Sequence, residues 1–235
     1  MSLVSVSLYR YPVEVNMDFM EIGAKLALFY VPFLFALCFH EYAHGLVAKW
    51  RGDNTAEQMG RLTLNPMAHA DLIGTILLPI SAIVFNIPIF FGWAKPVPVN
   101  TRNLKNVRSD MFWIALAGPA SNLLLAAVAT VFVFFALKIG FLGDFTKPVF
   151  ELMKMFVKVN LFLAIFNMIP LNPLDGGKVL ARFLPASVNY KLEQNEQMTS
   201  IILLMLVMTG ALRVLSIPVD ALYTFLMTFA ISGIV

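Results

Sequence analysis

The chain has 235 residues, of which 59% are hydrophobic and only 13% charged, with a formal net charge of +3. A soluble globular chain is about 45–50% apolar and about 25% charged, so an ordinary water-soluble domain is excluded. So few charges also leave no basic footprint for nucleic acid. The single cysteine, Cys38, excludes an intramolecular disulfide and, inside an apolar run, reads as a small buried filler.

The apolar excess falls in runs of roughly 20 residues, the length a helix needs to cross the hydrocarbon core. Residues 1–235 therefore read as one membrane-embedded domain, with no stretch polar and long enough for a separate soluble unit. Residues 1–18, MSLVSVSLYRYPVEVNMD, lack the basic start, apolar centre and small-residue cleavage site of a signal peptide. The first strong run is Met20 to about Trp50, longer than one simple span, and a polar loop from about Arg51 to Asp71 follows. The second run, Leu72 to about Trp93, is interrupted by Pro79, Asn86 and Pro88. Irregular backbone at membrane depth persists only when buried in protein or lining a cavity, so a re-entrant hairpin competes with a span here.

GWAKPVPVN, Gly92–Asn100, holds two X-Pro steps, which force extended backbone, as a short strand or a rim loop. The run Met111 to Ile139 is a convincing span that begins with ALAGPASN, where small residues allow close helix approach. The next run, about Pro148 to Ile169, contains Asn160 and Asn167. PLNPLDGGKVLARFLP, Pro170–Pro185, reads as a turn followed by a short helix. The tail, about Met198 to Val235, is divided by Gly210 and Pro218 into one broken helix or two short ones. The expected fold is an all-α polytopic membrane protein with five to six transmembrane helices. A re-entrant or extended/β segment lies between the first helix and the next core helix. The core covers about 20–185, with C-terminal hydrophobic helices at about 198–235.

Basic residues cluster in three loops, with Lys49, Arg51 and Arg61 in the first, Lys95, Arg102, Lys105 and Arg108 in the second, and Lys178, Arg182 and Lys191 in the third. The positive-inside bias places all three in the cytoplasm, which requires residues 72–93 to return to their own side. Lys147, Lys154 and Lys158 weigh against that scheme. Lacking an export signal, the chain is expected to be a multi-pass protein of the inner or plasma membrane of a prokaryote.

The segment ALCFHEYAHGLVAKW, residues 36–50, sets two histidines and a glutamate in an apolar helix. His40 and His44 are four residues apart and so lie on one helix face, one turn apart. Both imidazoles can reach one metal ion. Glu41 is offset by roughly 100° and can stand beside the metal without binding it. This is the H-E-x-x-H arrangement of two ligands and a general base. A chance occurrence on an exposed helix is the competing explanation, but a charged group at the centre of a membrane helix costs at least about 2.5–3.5 kcal/mol. Two of the three histidines in the chain are spent here.

Catalytic zinc needs a third protein ligand and an open position. The extended zinc motif with a third histidine ten residues beyond His44 is excluded, because position 54 is Asn54. Glu57 lies in a charged loop and reads as solvated surface. His69, in NPMAHAD, could ligate metal, line a substrate channel or form a structural hydrogen bond. Asp71 reads as a helix N-cap. Asp175 stands in NPLDGG, where Pro173 and Gly176–Gly177 bend the chain and let the backbone approach another helix. It could either cap the short helix that follows or point back into the bundle.

FHEYAH on an apolar helix with NPLDGG after a later one resembles the site-2 protease family of intramembrane zinc metalloproteases. GRLTLNPMAHADLIGT, FGWAKPVPVN and ALAGPASNLLLA resemble the connecting segments of its short bacterial and archaeal members. Together these cover about residues 30–185. The resemblance implies one Zn2+ per chain held by His40, His44 and Asp175, with Glu41 as the catalytic base. It implies that Asn122 lies near the active site, holding substrate backbone or the oxyanion, although a helix–helix hydrogen bond explains that residue almost as well. Asn172 is equally ambiguous, and His69 is the third candidate for substrate or oxyanion contact. The PDZ insertion and CBS pair of many members find no room in these loops, and the metal helix is expected to be the first span.

The implied activity is peptide hydrolysis in or near transmembrane segments, as in regulated intramembrane proteolysis. Transmembrane protein substrates and the bilayer are the partners, with no nucleic acid. An unwound substrate segment would add as a strand to an extended edge near Lys95–Asn100. The rival is a non-catalytic zinc-binding membrane protein, either a metal transporter or sensor or a pseudoprotease scaffold. A permeation path needs ligands in series, and beyond this cluster the spans carry few acids, Glu151 chief among them. An intact Glu41 weighs against a scaffold. Substrate identity and oligomeric state are not written in these motifs.

Overall fold

The computed structural model describes residues 19–85 and 92–232, and every regular element among them is a helix. In chain order these are α1 (Phe19–Trp50), α2 (Thr55–Gln58), α3 (Pro66–His69), α4 (Leu72–Val84), α5 (Val107–Ile139) and α6 (Thr146–Asn167). They continue with α7 (Asp175–Ala181), α8 (Ala186–Gln194), α9 (Glu196–Met208) and α10 (Ala211–Ser232). Three of them, α1, α5 and α10, are long and apolar enough to cross a membrane. The apolar runs that led to an expectation of five to six spans divide differently. α4 and α9 are shorter apolar helices, and α6, although 22 residues long, carries Lys147, Glu151, Lys154 and Lys158.

Proline shapes α1 and α4. α1 widens into a π turn at Leu26–Tyr30, two residues before Pro32. α4 begins with a π turn at Leu72–Leu77, two residues before Pro79. Proline has no N–H for the carbonyl four residues back, and a wider turn is one way a helix absorbs that missing bond. Asp71 caps α4 as expected, its carboxylate accepting the N–H groups of Ile73 and Gly74 at 3.0 and 2.7 Å. In the tail, Gly210 breaks the chain between α9 and α10 at φ +72°, a conformation that costs glycine little. Pro218 falls in the first turn of the regular helix Ser216–Ser232, where no N–H is needed. Of the two residues expected to divide the tail, only Gly210 does.

α5 is the central helix and packs against α1, α6, α7 and α10. Its buried face runs through Ala115, Gly118, Asn122, Ala126, Ala129, Val133 and Ala136, a three-to-four-residue repeat of mainly small side chains. In a bilayer, helices gain little from excluding lipid and rely on close van der Waals packing, which small residues permit. Ala126 and Ala129 meet Val157 and Leu161 of α6 and Val219 of α10. Phe33, Ala36 and Leu37 of α1 meet Leu163 of α6.

Residues 72–93 return to where they started. The Trp93 N–H donates to Gly74 O at 3.2 Å, and the Thr75 hydroxyl donates to Trp93 O at 2.6 Å. Gly92 is equally close, since a Cβ added there would lie 2.3 Å from Gly74 O. The described ends of the segment therefore lie side by side, as a re-entrant hairpin requires, while Asn86 and Pro88 lie outside the described residues. From Gly92 to Asn100 the chain has neither helix nor strand. This is the rim loop anticipated above, not the short strand. The Lys95 N–H donates to His69 O at 2.9 Å, and Arg61 Nη2 donates to Lys95 O at 2.7 Å.

Its far end is held by Asp53, which is fully buried. The carboxylate accepts the Asn100 N–H at 2.7 Å, Asn103 Nδ2 at 2.7 Å, and both the N–H and the hydroxyl of Thr55. Burial alone would raise the Asp53 pKa, but these donors outweigh it and hold the group below the usual carboxylate range. A lowered folded-state pKa contributes stability that is present above the unfolded value of about 3.9 and is lost as pH falls through the folded value. Asp53→Ala is expected to destabilise by about 1–3 kcal/mol at pH 7 through orphaned donors. In thermal unfolding in detergent, the gap between variant and wild type should narrow below pH 4. A constant gap would assign the loss to packing.

Candidate metal centre

His40 and His44 project from one face of α1 onto the turn of α5 around Gly118. Pro119 deprives that turn of one backbone bond, and Gly118 leaves it without a side chain. A Cβ on Gly118 would lie 2.4 Å from His44 Nε2 and 2.6 Å from His40 Nε2. The third group comes from the start of α7. Gly176 and Gly177 press that helix onto the preceding loop, where added Cβ atoms would lie 2.4 Å from Ile169 O and 2.3 Å from Asn172 Oδ1. Arg108 of α5 donates to Arg182 O and Leu184 O just beyond α7, which fastens the other end.

Asp175 thus arrives with Oδ2 at 3.1 Å from His40 Nε2 and 3.2 Å from His44 Nε2. The two Nε2 atoms are 3.0 Å apart. Donor atoms of the three residues lie within 4.8 Å of one another. His40 and Asp175 are 4% and 7% exposed. Among the described residues no other group of three His, Cys, Asp or Glu side chains converges in this way.

The hydrogen bonds behind the rings test whether this cluster suits a cation. His44 Nδ1 meets Ile114 O at 2.6 Å. A carbonyl only accepts, so Nδ1 carries the proton and Nε2 presents a lone pair. His40 Nδ1 meets Asn122 Oδ1 at 2.7 Å, with the same consequence. Two lone pairs and a carboxylate oxygen then face one another at about 3 Å with no proton between them in the neutral rings, an arrangement a divalent cation satisfies. Two histidines and one carboxylate, with each ring held by an acceptor on its far nitrogen, match the donor chemistry of catalytic zinc. Replacing Gly118 by Ala needs a shift of about 1 Å, from 2.4 Å to ordinary contact at 3.4 Å, beyond the roughly 0.5 Å tolerance of such constellations. Gly118→Ala is expected to lower zinc content severalfold by metal analysis. Wild-type content would mean that α1 and α5 do not meet at this turn.

Glu41 stands outside the ligand group. Its Oε2 accepts the Val97 N–H at 2.8 Å. Pro96 and Pro98 have no N–H, so Val97 offers the one backbone donor of that tripeptide. A cavity of about 750 Å³ opens on His40, Glu41, His44 and Asp175, with Trp93 and Val97 on its wall.

The remaining sequence candidates for substrate contact do not line this cavity. Asn122 is fully buried, and its amide nitrogen donates to Ala36 O at 3.1 Å and Asn160 Oδ1 at 2.9 Å. Its polar atoms are spent on the helix interface and on His40. Asn172 lies against Gly177, beside its cis peptide bond to Pro173. His69 is buried, with Nε2 donating to Thr63 O at 2.8 Å and Nδ1 unpartnered among the described residues. Neither Asn172 nor His69 is among the residues lining the cavity. Glu57 pairs with Lys49 at 2.7 Å on the exposed side. Sequence reasoning passed over Asp53, Gly118 and the Val97 N–H as parts of this assembly. The one signal was an ionisable or small residue beside a motif, which alone says nothing about its partner.

Comparison with known proteins converges on the same centre. The family model described as Peptidase family M50 matches residues 144–210, a stretch that includes Asp175. "Putative zinc metalloprotease YwhC" of Bacillus subtilis (strain 168) is 38% identical over 172 residues, covering 72% of this chain and 75% of that protein. "Putative zinc metalloprotease Rip2" of Mycolicibacterium smegmatis (strain ATCC 700084 / mc(2)155) is 29% identical over 187 residues, covering 77% of this chain and 66% of that protein. No solved structure matches. With two histidines and a distant aspartate converging in an apolar helical bundle, and with this degree of identity to a relative covered over most of its length, the chain belongs to peptidase family M50, the site-2 protease family.

Proposed function

We propose that the protein is a zinc-dependent intramembrane endopeptidase. It hydrolyses peptide bonds in or near transmembrane segments of membrane-protein substrates, as in regulated intramembrane proteolysis. The observation that carries this reading is the convergence of Asp175 of α7 on His40 and His44 of the apolar helix α1, beside Glu41. These three residues would hold one zinc ion per chain, which when bound supplies Lewis acidity toward water and toward a carbonyl oxygen. Glu41 accepts the proton of the attacking water and returns one to the leaving amine. With Oε2 held by the Val97 N–H, Oε1 is the oxygen that carries it. An unwound substrate segment adds along the extended rim, where Pro96, Val97 and Val99 line the cavity, and backbone pairing with that rim positions the scissile bond. The bilayer and transmembrane substrates are the partners, and the protein sits as a multi-pass chain in the cell membrane.

The test uses detergent-purified protein and a fusion carrying a transmembrane segment. One zinc per chain is expected, with cleavage that a chelator abolishes and added zinc restores. A folded, unchelated protein with no zinc, or cleavage indifferent to chelation, would overturn the reading.

A further inference from the structure

We propose that Asn160 of α6 is a positioning residue of the metal centre that acts through Asn122 to set the tautomer of His40. The proposal rests on the metal-site reading above. Asn160 and Asn122 are both fully buried. Asn160 Nδ2 meets Phe156 O at 2.8 Å. Since that carbonyl can only accept, the amide nitrogen of Asn160 is fixed there and its Oδ1 faces Asn122. Asn122 Nδ2 then donates to Asn160 Oδ1 at 2.9 Å and to Ala36 O at 3.1 Å. With both its N–H bonds committed, Asn122 turns Oδ1 toward His40 Nδ1, at 2.7 Å. That oxygen requires a proton on Nδ1, which leaves the Nε2 lone pair for the centre.

The orientation of each group is thereby dictated by the next, starting from two backbone carbonyls on different helices. The chain runs from α6 through α5 to α1 without a branch to solvent. Removing Asn160 leaves one Asn122 N–H without an acceptor, so that Ala36 O alone opposes rotation of the amide. A rotated amide presents N–H to His40 Nδ1, which moves the ring proton to Nε2 and closes the ligand position. Partners behind metal-binding histidines fix ring orientation and tautomer, and their loss typically weakens metal binding by about 10–100-fold.

The test compares Asn160→Leu with Thr130→Val, both in the full chain in detergent. Thr130 is also buried and polar, but its hydroxyl bonds only Ala126 O within α5, so it controls for a core substitution with no link to His40. Zinc affinity is measured by competition with a chelator. The ¹⁵N shifts of the His40 ring are recorded on metal-free protein at alkaline pH. For Asn160→Leu we expect zinc affinity to fall at least about tenfold and the His40 ring to lose its pure Nδ1–H signature, with Thr130→Val unchanged in both. Wild-type affinity together with an unshifted ring in a folded Asn160→Leu would overturn the proposal and leave the protease reading intact. If the wild type itself binds no zinc, the metal reading fails, and the ring shifts still decide whether Asn160 governs His40.

Discussion

Glu41→Gln is expected to leave the protein folded and loaded with zinc while lowering the rate of peptide cleavage by about 10²–10⁴-fold, the range typical of a positioned general base. The expectation follows from where the carboxylate stands. Glu41 is 9% exposed and lies on the cavity wall beside the three converging donors, yet it is not one of them. Glutamine keeps the volume and retains an oxygen for the Val97 N–H, so the extended rim keeps its anchor. What it loses is the ability to take a proton. Cleavage of a fusion substrate and zinc per chain, measured on the same preparation, separate these effects. Undiminished cleavage would remove Glu41 from the chemistry. Zinc lost along with activity would show that Glu41 supports the metal site instead of the proton transfer. The same variant distinguishes proteolysis from zinc transport, because a carrier using His40 and His44 has no need of a base at position 41.

Asp175→Ala is expected to weaken zinc binding by more than about 100-fold, beyond the loss usual for an outer partner, and to abolish cleavage. Only 7% of Asp175 is exposed, and among the described residues its Oδ2 is the carboxylate oxygen paired with both imidazoles. Its removal leaves two neutral ligands, too few for a catalytic site that uses three. Asp175→Asn tests charge against geometry, because the amide keeps one oxygen in place. An intermediate affinity for Asn would assign part of the effect to the negative charge. Retention of zinc by Asp175→Ala would point to a donor elsewhere. Glu57 and His69 are poor substitutes, since Glu57 is paired with Lys49 on the surface and His69 is bonded to Thr63 O within its own loop.

Much of this site was legible in the sequence because its strongest signals are local. The four-residue spacing of His40 and His44 needs only helical geometry to bring both rings to one face. The Asn54 at the position of a further histidine removed one class of zinc site without any structure. Pro173 with Gly176–Gly177 marked a sharp turn, and Asp71 announced the cap of α4. The extended character of Gly92–Asn100 followed from its X-Pro steps. Counting spans from apolar runs has a physical limit. An apolar run records how much hydrocarbon a segment tolerates, not whether it continues straight. The run from Leu72 folds back beneath Trp93, and Gly210 cuts the tail above α10.

The sequence by itself therefore determined the placement of two imidazoles and a carboxylate on α1, the apolar character of the chain and the places where the backbone must bend. Those follow from periodicity, composition and dihedral restriction, which act within a few residues. Only the tertiary structure decided what meets across long separations. It brings Asp175 to His40 over 135 residues, the Val97 N–H to Glu41 over 56, and Asn160 to Asn122 over 38. It also shows why Gly118 must be glycine, since two imidazole rings occupy the space a side chain would take. Such contacts leave no periodic trace, because a hydrogen bond between helices depends on how the helices pack, and packing is settled by the whole bundle at once.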